Sequence, residues 1–67
     1  MAVLKVIEIL ANSKKSWEEA TQNAVTHASR SLRNIKAVNV SNMSARVNDK
    51  GKITDYRVNV QLSFEVE

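Results

Sequence analysis

The chain has no cysteine, no proline, a single glycine, a single histidine and only three aromatic side chains (Trp17, Tyr56 and Phe64) in 67 residues. Each scarcity removes a class of chemistry. Without cysteine there are no disulfides, no thiolate metal sites and no cysteine nucleophile. One histidine cannot build a histidine-rich metal site within a chain, and one glycine cannot build a phosphate-cradling loop. Few aromatics and no proline leave little for a base-stacking platform. None of the serines stands in a Gly-x-Ser-x-Gly elbow. No apolar run approaches the roughly 20 residues needed to span a bilayer. Met1 to Ala11 lacks the basic start and small-residue cleavage pattern of a signal peptide. These readings predict a soluble cytoplasmic protein with neither membrane nor nucleic acid as partner.

Charge agrees. Ten basic and seven acidic residues give a formal +3, but the basic residues are scattered, and Lys14-Lys15 is the only adjacent pair. Nucleic-acid binders usually gather them on one face. The length predicts a single domain over residues 1–67. A chain this short is marginal alone. With disulfides and thiolate or histidine-rich metal sites excluded, self-assembly is the expected source of further stability.

What is present is strongly patterned. Trp17, Ala20, Ala24, Val25, Ala28 and Leu32, continued by Thr21 and Ile35, lie on one side of a 3.6-residue helix. The spacing predicts a helix over Ser16 to Asn34. Ser16 and Glu19 fit a reciprocal capping box. Glu18 and Glu19 suit the positive end of the helix dipole, and Arg30 and Arg33 the negative end. Val3 to Leu10 is aliphatic and nearly continuous, as in a strand covered on both faces, with Asn12 to Lys15 as the loop into the helix. Lys36 to Asn48 predicts a second strand, which alternates poorly at Ala37, Val38 and Val40, then clearly at Met43, Ala45 and Val47. Asn48 to Gly51 forms the turn. Tyr56, Val58, Val60, Leu62, Phe64 and Val66 then alternate strictly with polar residues, ending at Glu67. The predicted fold is α+β: a β-α-β-β order with a three-stranded antiparallel sheet wrapped on one amphipathic helix.

The residues alone show no enzyme. His27 lies off the apolar stripe with no partner suited to a general base, and reads as a surface histidine. Glu8, Asp49, Asp55, Glu65 and Glu67 supply oxygen ligands that could meet across strands or subunits around a hard cation such as Ca²⁺, but their spacing matches no EF-hand loop. Trp17, in register with Ala20 and Ala24, reads as core or interface packing. Asn39-Val40-Ser41 and Asn42-Met43-Ser44 match the glycosylation pattern, which is common by chance.

Lys5-Val6-Ile7-Glu8-Ile9, Ser16-Trp17-Glu18-Glu19-Ala20, Leu32-Arg33-Asn34-Ile35 and the closing Tyr56-Arg57-Val58 to Leu62-Ser63-Phe64 together resemble the dodecin family, in order and over essentially the whole chain. The resemblance implies a hollow homo-dodecamer that binds flavins without turnover. It also implies a departure. Flavin-binding members carry a stacking Trp near the start of the second strand, in a run like Leu-Arg-x-Leu-x-Trp-Phe-Glu-Val, and a Gln after the Tyr of the third strand. Here the matching ligand-pocket positions are Ala37 and Arg57.

Aromatic stacking is worth about 1–3 kcal/mol per base in nucleic-acid systems. Loss of a Trp from both sides of a stacked ligand is expected to cost about two to four orders of magnitude in flavin affinity. The sequence looks closer to a flavin-free branch that includes calcium-binding members, so no cofactor is expected, flavin binding is weakened and Ca²⁺ is the alternative. The resemblance places no metal ligand. Arg57 is expected to pair with an acidic residue such as Asp55 or Glu65 of a neighbour. The other reading is a positive pocket for a carboxylate or phosphate ligand.

Overall fold

A computed structural model describes residues 3–66. It contains strand β1 (Val3–Ser13), helix α1 (Trp17–Ala28), strand β2 (Ile35–Val47) and strand β3 (Ile53–Val66). The strands form one antiparallel sheet in the order β1-β3-β2. The most regularly alternating segment, β3, is therefore central. The predicted β-α-β-β order and the three-stranded sheet on one helix are both present. Glu67 lies outside the described residues.

The start of α1 forms as its residues dictate, with one change. The Ser16 Oγ accepts the Glu19 amide at 3.0 Å. Glu19 does not return to the Ser16 amide. Its Oε2 accepts the buried Ser13 hydroxyl at 2.8 Å, and the Ser13 Oγ accepts the amides of Lys15 (2.9 Å) and Ser16 (3.4 Å). Because β1 runs to Ser13, past the expected Leu10, this hydroxyl stands between the two halves of the box and links strand to helix. Asn12 and Ser13 thus belong to the strand and not to the loop.

The helix is shorter than its apolar spacing predicts. At its end the Ser29 hydroxyl donates to the Thr26 carbonyl at 2.7 Å, and the Arg30 and Ser31 amides reach the carbonyls three residues back. Asn34 then takes φ = +62°, a left-handed geometry that Asn tolerates better than most residues. Its carbonyl accepts the Glu65 amide at 3.0 Å. Leu32 and Ile35 continue the stripe in spacing only. The basic residue of the last turn is His27; Arg30 and Arg33 fall beyond the helix.

Ala20, Ala24 and Ala28 are buried. Their small side chains let α1 lie close on β3, where Val58, Val60 and Leu62 are buried beneath it. Ile9, Ala11 and Trp17 close the sides of this core. Trp17 reaches across it, donating Nε1–H to the Ser44 carbonyl of β2 at 2.9 Å and meeting Tyr56 edge-on, with ring centroids 4.8 Å apart.

Strand β2 alternates poorly because its pairing with β3 shifts register between Ile35 and Ala37, and again between Val40 and Asn42. The second shift accommodates Ser41, whose hydroxyl donates to the Asn59 carbonyl at 3.1 Å. A bulge of one residue changes the parity of everything after it. Val38, Val40, Met43 and Ala45 consequently stand opposite Leu62, Val60, Val58 and Tyr56, on the helix side of the sheet. The hairpin closes through Asn48, whose side-chain oxygen accepts the amides of Lys50 and Lys52, while Gly51 takes φ = +77°.

Coverage is uneven. The twelve-residue helix shields β3 but not β2, so Val38, Val40, Met43 and Val47 remain exposed, as does Ile53 at the start of β3. On the far face of β1, Leu4, Val6 and Leu10 are open too. Within one chain β1 is covered on its helix side alone, as expected of a strand whose second cover a chain this small cannot supply. The chain is 52 Å long and 13 Å thick and exposes 5150 Å², against about 4,200 Å² for a compact monomer of this mass.

Candidate ligand face

The face of the sheet turned away from α1 carries the polar residues, and the register fixes them in rows across the strands. Val6, Ser63 and Ala37 form one row, followed by Glu8, Gln61 and Asn39, then Leu10, Asn59 and Asn42, then Asn12, Arg57 and Ser44. Asp55 stands opposite Arg46 beyond them. Alternation places every second β3 residue on this face, so Arg57 and Ala37 share it. They do not share a site. Ala37 is in register with Ser63, about six residues or roughly 20 Å along β3 from Arg57.

Ala37 lines a shallow depression of ≈ 180 Å³ with Val25, Ile35, Lys36 and Val38. Arg57 lines a separate one of ≈ 250 Å³ with Leu10, Ala11, Asn12, Val58 and Asn59. Any pocket that uses both residues must join different copies of the chain.

The ion pair expected of Arg57 is with a neighbouring copy; within the chain Arg57 makes none with the described residues. The Asp55 Oδ2 accepts the Asn12 Nδ2–H at 3.0 Å, and Glu65 stands opposite Leu4 near the other end of β3. The carboxylates do not converge. Glu8 is at mid-strand opposite Gln61, Asp49 is in the hairpin turn, and Asp55 and Glu65 lie about ten residues apart on β3, some 30 Å or more. Among the described residues no three His, Asp or Glu side chains are grouped as a metal would need. His27 is exposed, beside a cleft of ≈ 400 Å³ between α1 and β1. Among the described residues no buried side-chain nitrogen or oxygen lacks a hydrogen-bond partner, and no helix is long and apolar enough to cross a membrane.

Asn12 and Leu10 escaped sequence reasoning as neighbours of Arg57. They are more than forty residues away in sequence, and only the β1–β3 register brings them together.

This sheet, with its single helix on one face, is shared with solved structures. The chain matches the family model for dodecin over residues 3–67. Dodecin from Streptomyces coelicolor superposes with a TM-score of 0.92 at 29% identity, covering 98% of this chain and 93% of its own. Calcium dodecin of Mycobacterium tuberculosis is 39% identical over 66 residues, 98% of this chain and 92% of that protein. The crystal structure of that calcium-chelating antigen, with its novel calcium-binding site, has a TM-score of 0.83 at 37% identity, covering 97% and 91% of the two chains. The chain belongs to the dodecin family.

Proposed function

We propose that this protein is a non-enzymatic dodecin shell, a homo-dodecamer that binds its small ligand between subunits, with the stacked-flavin pocket disabled and Ca²⁺ as the ligand. The observation that carries this reading is the incompleteness of the single chain. It exposes about 900 Å² more than a compact monomer of its mass, similar to the roughly 800 Å² each partner contributes to a standard interface. Most of the large apolar side chains that stay exposed are on β1 and β2.

Ala37 offers a ring nothing to stack on, and Arg57 replaces a neutral amide with a cation. The identity to a calcium dodecin supports the cation reading. Because the carboxylates of one chain are dispersed, copies must be joined for several to reach one ion, as the oxygen-rich coordination of Ca²⁺ requires.

Native mass spectrometry of protein purified without added ligand tests the reading. Twelve chains of 7.5 kDa give a species near 90 kDa, expected to gain mass in calcium-sized steps on titration and none with riboflavin. A monomer, or a shell that holds flavin, overturns it. The double variant Ala37→Trp with Arg57→Gln is expected to quench riboflavin fluorescence at micromolar protein; unchanged fluorescence shows that these are not the pocket positions.

A further inference from the structure

We propose that the sheet face turned away from α1 closes on the same face of a second copy about a two-fold axis, with Glu8 of each copy paired to Arg57 of the other. The contact rests on the assembly proposed above and names one of its faces. It starts from a charge set in an apolar strip. The residues of β1 on this face are Leu4, Val6, Glu8 and Leu10, and the three apolar ones are exposed. A copy that covers the strip also covers the carboxylate in its middle. Taking an ionised group out of water is strongly unfavourable unless an opposite charge meets it.

Glu8 finds no such charge in its own chain, since its side chain makes no hydrogen bond or ion pair with the described residues. Arg57 is its counterpart: exposed, on the same face, and equally without a side-chain partner among the described residues. Other charges on the chain are engaged or misplaced. Asp55 accepts the Asn12 amide and stands opposite Arg46. Glu65 lies opposite Leu4 near the end of the sheet, and Lys5, opposite Phe64, faces the helix side.

The register decides how the two charges meet. Glu8 lies in the row of Gln61 and Arg57 in the row of Asn12, about 14 Å apart along the strands. The row of Leu10 and Asn59 is midway between them. A two-fold axis running across the strands through this middle row reverses the order of the rows in the second copy. Each Glu8 row then faces the partner's Arg57 row, with the two columns about 5 Å apart sideways. Two long side chains reach each other across the roughly 10 Å between packed sheets. Glu8 meets Arg57 and Arg57 meets Glu8, as a self-complementary contact requires.

The same axis sets Leu10 against Leu10. At 67% it is the most exposed of the large apolar side chains, so the contact has an apolar centre and a charged rim. An axis through the Glu8 row would join like charges and leave both arginines alone. The pairing leaves calcium to carboxylates other than Glu8.

Native mass spectrometry of the full chain tests the contact. The unaltered protein, twelve chains of 7.5 kDa, is expected near 90 kDa; a monomer there overturns the assembly itself. Given that species, Glu8→Arg and Arg57→Glu are each expected to yield smaller ones, because each sets like charges face to face. The combined variant Glu8→Arg with Arg57→Glu is expected to restore 90 kDa, and Glu8→Arg with Arg46→Glu is not. Arg57→Gln keeps a donor toward the carboxylate, so charge reversal is the sharper probe. A single reversal that leaves the shell whole, a combined variant that stays dissociated, or restoration by Arg46→Glu overturns the pairing. Glu8 and Arg57 are both exposed, and circular dichroism verifies that each variant folds.

The axis has its own test, independent of the charge variants. The chain has no cysteine, so Leu10→Cys carries its only thiol. A short bis-maleimide is expected to join two such chains into a covalent dimer on a denaturing gel. A monomer band alone places the axis elsewhere and overturns the contact.

Discussion

The two flanks of β3 differ in how far one chain can complete them. On one side β1 pairs in unbroken register from Val3 to Ser13, and α1 covers the joint with its three buried alanines. On the other side β2 pairs through three register shifts, and most of its apolar residues stay open. The β1-β3-α1 portion is a core that one chain completes. The β2 flank has the apolar pattern of a buried strand without the cover. In this chain, apolar side chains facing the helix side are not thereby buried. A twelve-residue helix is about 18 Å long, while β3 and its hairpin run much farther.

Changes on the covered side should cost most. Leu62 is fully buried at the centre of the sheet, and Leu62→Ala should lower stability by about 2–5 kcal/mol, read from the midpoint of denaturant unfolding. A loss below 1 kcal/mol would show that the site is not packed as described. Met43 tests the other side. It faces Val58 across the strands yet is 53% exposed, so Met43→Asp should retain the circular dichroism of the fold but dissociate the assembly in native mass spectrometry. An intact large species would mean that the open strip of β2 is not an interface.

Smaller effects sharpen the contrast. Ser16→Ala removes the hydroxyl that caps α1 and should cost about 1 kcal/mol, measured by thermal unfolding. Gly51→Ala acts at the far end of the hairpin. A methyl there meets nothing within 4 Å, so only the positive φ opposes it, and the expected cost is about 1 kcal/mol. A clearly larger loss in that melt would mean that the hairpin tip contacts another copy.

Much of the fold was legible because its signals are local. The strict alternation of β3, the Ser16 cap and the Gly51 turn each follow from residues a few positions apart. The end of α1 was not legible, since Leu32 and Ile35 keep helical spacing and the chain leaves the helix through backbone geometry at Ser29 to Asn34. The last residues of β1 read as loop because Asn12 and Ser13 are turn formers, and pairing with Arg57 and Tyr56, together with their side-chain bonds to Asp55 and Glu19, holds them extended.

The candidate site divides in the same way. The positive charge of Arg57 and the small aliphatic side chain of Ala37 were visible in the sequence. That these two lie far apart in one chain, and that Leu10, Asn12 and Asn59 gather round the arginine instead, depends on strand register. By itself the sequence determined the element types and the strand with one buried face, because propensity and periodicity are properties of neighbouring residues. Only the tertiary structure decided which distant side chains meet and which apolar strips stay open, because both depend on how β1 and β2 align against β3 and on how little of the sheet one short helix can cover.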